Sequence, residues 1–158
     1  MTPTRFAAIA AACVLVTAVG APESVARAQQ HPNFSGRWVI VQPEKGAGQE
    51  QIIKHDDKTL SKTPVGDRGG LAATYQIDGV EHRSTLPMRG QDIVNVTKAA
   101  WEGTTLVLTI LESYPNGMKL SVREVWSLDE QGRLVIEATE SAERQKPQVM
   151  TIVMQKKG

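Results

Sequence analysis

A single cysteine, Cys13, is all the sequence offers for disulfides, thiolate–metal sites or thiol nucleophiles. Aromatic residues are scarce as well: three Trp, two Tyr and two Phe in 158 residues. The longest apolar run, Phe6 to Val19, is shorter than the roughly 20 residues a membrane-spanning helix needs. Neither sign of charge dominates, with 18 basic against 17 acidic residues. A neutral surface argues against a nucleic-acid partner, which usually leaves a basic patch. No window of 11 or more residues keeps a helical 3.6 period, so no long helix is expected. P-loop, dinucleotide fingerprint and G-x-S-x-G nucleophile elbow are all missing.

What is present begins with an export signal. Arg5 supplies the positive charge, Phe6 to Val19 the short apolar stretch, and Ala26-Arg27-Ala28 the small-residue cleavage pattern. Cleavage is expected after Ala28, leaving a mature domain over residues 29–158 with no membrane span and a periplasmic or secreted location. Cys13 leaves with the signal. Arg5, Arg27 and Glu23 leave too, which takes the charges to 16 of each sign. About 130 residues suffice for one domain burying roughly two thirds of its unfolded surface.

The mature chain reads as strand after strand. In Leu120–Leu128, Leu120, Val122, Trp126 and Leu128 share one face with Glu124 as the exception, while Ser121, Arg123 and Ser127 take the other. That is the period-2 pattern of a half-buried strand. Turn chemistry separates the runs at Asp78-Gly79, Glu102-Gly103, Asn116-Gly117 and Asp129 to Gly132. Asn116-Gly117 suits a type I′ turn, and Asp78-Gly79 reads as a further hairpin between 71–77 and 80–86. The predicted strands are 35–42, 49–55, 58–62, 71–77, 80–86, 92–101, 104–113, 118–128, 133–141 and 147–156. Residues 42–48 and 63–70 are expected as mobile loops, the second the better candidate. The fold class that follows is all-β, an antiparallel up-and-down barrel of about eight to ten strands.

Phe34-Ser-Gly-Arg-Trp38 carries a G-x-W at the head of the first strand, and Lys98 to Leu106 carries K-x-x-W-E-G. Together with Tyr75-Gln-Ile-Asp-Gly79 and Trp126-Ser-Leu-Asp129, they make the chain resemble the calycin superfamily. That superfamily holds lipocalins, fatty-acid-binding proteins and avidins. The resemblance implies a lipocalin-like barrel in which Gly36 permits close backbone approach, Trp38 seals one end, and a basic residue of the last strand, Lys156, covers its ring. The sequence departs from the family in three places. Residues 43–62 do not look like a helix–turn–helix, no helix follows the last strand, and the arginine and tyrosine that hold a fatty-acid carboxylate have no clear counterpart. The superfamily's nitrobindin-like members hold haem through a C-terminal histidine, and no histidine follows His82. No cofactor is expected.

The expected interior set is Trp38 and Ile40, then Leu106, Leu108 and Ile110, then Val122 and Trp126, then Leu134, Ile136, Ile152 and Met154. Of these, Val122, Trp126, Leu108, Ile110, Ile136 and Met154 form the candidate ligand-binding wall, with Glu124 as its polar member. Glu124 has two readings. It is either an anchor that orients a ligand, or a solvated carboxylate at the mouth or beside a base from a neighbouring strand. Asp92 and Glu124 could serve as a carboxylate pair for acid–base work. The histidines, His31 in a flexible leader, His55 beside Asp56-Asp57, and His82 beside Glu81, lack metal-site spacing, and no metal is expected. Three functions stay open: a binding module for a small apolar or amphipathic molecule, an accessory protein acting through its loops around a filled core, and a calycin-fold enzyme without a nucleophile motif. Small barrels either fill with side chains or hold one ligand, which puts the binding module first.

Overall fold

A computed structural model describes residues 31–66, 71–88, 91–143 and 145–158. The expected signal segment, 1–28, and residues 67–70 of the expected mobile loop lie outside that set. Ten strands follow one another: β1 (Gly36–Gln42), β2 (Glu50–His55), β3 (Thr59–Val65), β4 (Ala73–Gln76), β5 (His82–Met88), β6 (Gln91–Glu102), β7 (Thr105–Ser113), β8 (Lys119–Leu128), β9 (Leu134–Ala142) and β10 (Gln148–Lys156). Among the described residues there is no helix. The strands form one sheet in the order β4-β3-β2-β1-β10-β9-β8-β7-β6-β5, every neighbouring pair antiparallel. Pairing of the first strand with the last curls this meander into a nearly closed, up-and-down barrel.

Two hairpins use the same solution. In Tyr114–Met118 and in Asp129–Arg133 the glycine N–H, Gly117 or Gly132, donates to the carbonyl three residues back. Each glycine takes a positive φ, 83° and 72°. Asn116-Gly117 is therefore not the centre of a two-residue loop. Pro115 has its φ fixed by its ring, which suits the first central position of a type I turn, and Gly117 then takes the left-handed place that follows.

The Asp78-Gly79 hairpin does not form. β4 pairs with β3, β5 pairs with β6, and the two are the unjoined ends of the sheet. Between them Ile77 bridges Ala99 of β6 in parallel, and the Gly79 N–H donates to the Ala99 carbonyl at 3.0 Å. The turn residues steer the chain past β6 instead of back along β4. β3 also runs through Thr63–Val65, where a loop was expected. Pro64 is tolerated there because β4 covers only Thr59 to Lys62, which leaves the proline on an unpaired margin. Pro87 sits on the edge strand β5 for the same reason.

Alternation puts one cluster inside. Trp38, Trp126, Phe34, Ile53, Leu60, Leu106, Leu108, Leu134 and Met154 are its largest fully buried side chains. All eleven residues of the expected interior set belong to this cluster or lie against it, with Val122 and Ile152 only partly buried. Phe34, Ile53, Leu60, Tyr75 and Ala99 join them from positions the sequence pattern did not single out.

Candidate functional site

One end of the barrel is filled. Trp38 of β1 is 1% exposed, and its indole N–H donates to the Phe34 carbonyl at 2.8 Å. Register puts Lys156 opposite Trp38, with its Nζ 5.6 Å from the indole centroid. Gly36 makes room for this lysine. Its φ is 149°, and a Cβ there would lie 2.5 Å from Lys156 Cε. Any side chain at 36 would both strain the backbone and push the cation off the ring.

The same end holds His55 and His31. The His55 ring lies 5.3 Å from Phe34 and 5.7 Å from Trp101, and its Nδ1 accepts the Phe34 N–H at 3.3 Å. His31 does not trail away in a leader: its ring stacks on Trp101 at 4.1 Å and 15°. His31, His55 and Trp101, with Asp56 and Asp57, border a hollow of about 520 Å³. Burial lowers the His55 pKa below its ordinary 6.5, against the opposing pull of Asp56 and Asp57. A depressed histidine means that the unfolded chain binds the proton more readily. Its contribution to stability is therefore intact above pH 6.5 and lost as pH falls through the folded value. His55→Asn, whose amide oxygen can replace the Nδ1 acceptor, should flatten the fall in urea midpoint between about pH 7 and about pH 5. An unchanged slope would contradict this.

Above the filled end lies a polar cluster. Glu124 faces inward on β8 beside Trp126, and Lys62 faces inward on β3. Lys62 Nζ donates to Glu124 at 3.0 and 3.3 Å, and the Trp126 indole N–H donates to the same carboxylate at 2.9 Å. Only 21% and 14% of the two charged side chains is exposed. Glu124 is thus neither solvated nor paired with a neighbouring strand. Four strands separate β3 from β8 in the sheet, so the pair spans the barrel interior. The Lys62 ammonium also lies 5.4 Å from the Tyr75 ring and 5.9 Å from Trp126. Burial pulls the lysine's pKa down, but Glu124 and Tyr75 outweigh it and the net shift is upward. Burial raises the Tyr75 phenol and the Glu124 charge adds to it, against Lys62. At neutral pH the cluster therefore holds an ammonium and a neutral phenol.

This cluster opens into a cavity of about 360 Å³, lined on one side by Lys62 and Tyr75 and on the other by Ser84, Asn95, Ile110 and Glu112. Of the expected ligand wall, only Ile110 lines it. Leu108, Trp126, Ile136 and Met154 belong to the filled end, and Val122 is partly buried against them. Asp92 alternates with the inward residues of β6 and is exposed, so it does not meet Glu124. Lys62, Tyr75, Asn95 and Glu112 were missed. Parity could have found the last two, since Asn95 and Thr97 are in step with Ala99 and Trp101, and Glu112 is in step with Ile110.

These features define a β-barrel with one filled end and a small, polar-sided cavity toward the other. No known protein-family model matches the chain, and no curated protein matches it either.

Proposed function

We propose that the chain is a binding module for a small amphipathic molecule held in the barrel interior. The observation that carries this reading is the Lys62–Glu124 pair, built across the barrel interior, whose lysine lines a cavity of about 360 Å³ while Glu124 stands behind it. A barrel needing only stability would fill this space with apolar side chains, because a mostly buried ion pair adds little net stability over apolar packing. The volume falls within the ~300–1,000 Å³ range of small-molecule sites, and apolar Ile110, Leu86 and Leu71 share the lining with the polar groups. Gly36, Trp38 and Lys156 at the floor support a calycin-like assignment, and residues 1–28 support an exported, periplasmic or secreted location.

A neutral apolar fluorescent probe should bind saturably, one to one, and quench Trp126, whose ring lies 5.9 Å from the Lys62 ammonium. Absence of saturable binding by the folded protein overturns the reading. The accessory-protein alternative, favoured by the fully buried side chains that fill the other end, would then take its place.

A further inference from the structure

We propose that an acceptor row, Ser84–Asn95–Glu112, holds the ammonium group of a primary-amine amphiphile; this rests on the binding-module reading and names its ligand class. Ser84 of β5 is directly opposite Asn95 of β6, and Asn95 is directly opposite Glu112 of β7. All three line the cavity. Directly opposed residues on one face have Cβ atoms about 4.5–5.5 Å apart, close enough for neighbouring side chains to share one small group. The row offers a hydroxyl, an amide oxygen and a carboxylate. A primary ammonium brings three N–H donors and no acceptor, as a lysine head does.

Two observations show the row unsatisfied. Asn95 Oδ1 is buried and, among the described residues, no donor reaches it, a cost that a ligand N–H would remove. Glu112 accepts one hydrogen bond, from the neutral Tyr114 hydroxyl at 2.6 Å, and among the described residues no lysine or arginine pairs with it. The cation that lines the cavity, Lys62, is held by Glu124. A ligand carboxylate would meet a cation already neutralised and a second carboxylate opposite it. An ammonium meets the reverse. The apolar part of the ligand then lies against Leu86 and against Leu71, which is 66% exposed beside the cavity.

Titration calorimetry of the full chain with octylammonium, octanoate, octanol and octyltrimethylammonium tests this with the chain length held constant. Octylammonium should bind about tenfold or more tightly than octanoate, as expected for hydrogen bonds to a charged group. It should also exceed octyltrimethylammonium, which carries the charge without N–H donors. Glu112→Gln should erase most of the preference for the primary amine over octanoate and over octyltrimethylammonium. Equal affinities, a preference for octanoate, equal binding of the trimethylated head, or a preference that survives Glu112→Gln each overturn the proposal. Those outcomes leave the binding module standing, whereas failure of all four ligands to bind removes the module itself. If Glu112→Gln does not fold, the four ligands on the parent protein still decide.

Discussion

Trp38→Ala is expected to lower the unfolding free energy by about 3–5 kcal/mol, the range for deleting a buried large aromatic side chain. The side chain is 1% exposed and is bound at two points. Its N–H satisfies the Phe34 carbonyl, and Lys156 covers its face. Truncation leaves a void among rigid neighbours, strips the donor from a buried carbonyl, and removes the ring beneath the cation. Domains of this size have only about 5–15 kcal/mol in total, so the variant would sit near the edge of folding. Removing the cation alone should be far milder. Lys156 is itself exposed, and a cation over an indole at an exposed site is worth about 0.5–1 kcal/mol. Urea unfolding of the two variants separates these contributions. A loss below about 1 kcal/mol for Trp38→Ala would mean that the floor closes without the indole, against the usual cost of such a deletion.

The indole of Trp126 on β8 shows why part of the fold was legible in the sequence. Strand periodicity is local, and in a barrel one face is always inside, so the alternation of Leu120, Val122, Trp126 and Leu128 fixes which residues go to the core. Turn chemistry is local too, and it placed the Tyr114–Met118 and Asp129–Arg133 hairpins correctly. It failed at Asp78-Gly79, because nothing local says whether the strand after a turn pairs with the one before it. There the barrel's closure decides: Ile77 is held by Ala99, which is far along the chain. Phe34 and Leu60 escaped notice because each stands at the margin of a strand, without the repeated alternation that flags an inner face.

The candidate site was readable only in fragments. Glu124 stood out as a carboxylate on an apolar face, and that anomaly was a real signal. Its partner lies 62 residues earlier in the chain, on a strand five places away in the sheet. Pairing the two requires the strand order and the curl of the barrel, and neither is contained in a spacing. Lys62 closes the expected strand 58–62, and the Thr63-Pro64 that follows it suggested a loop. The structure makes it strand because β2 covers one side of it throughout. The cavity likewise depends on which polar residues share a row, and so on register.

Breaking the Lys62–Glu124 pair should cost nearly as much as deleting the floor indole, and removing both charges together should cost less. Lys62→Met leaves Glu124 mostly buried with only the Trp126 N–H to compensate it. Glu124→Leu leaves an ammonium between two aromatic rings and strips the indole of its acceptor. Orphaning one member of a buried pair typically costs about 3–5 kcal/mol. The residual 21% and 14% exposure admits some solvent screening, which places each single variant toward the lower end of that range. The double variant, Lys62→Met with Glu124→Leu, replaces the pair by apolar side chains of similar length. It should recover part of the loss, because the desolvation of both charges disappears with them. The Trp126 N–H alone stays without an acceptor, at about 1–3 kcal/mol. Urea unfolding of the four proteins closes a double-mutant cycle. Additive single effects would mean that the two charges do not interact across the barrel, and the polar base of the cavity would lose its basis. A coupled cycle, with amphiphile binding lost in the double variant while its fold persists, would mean that the pair serves recognition more than stability.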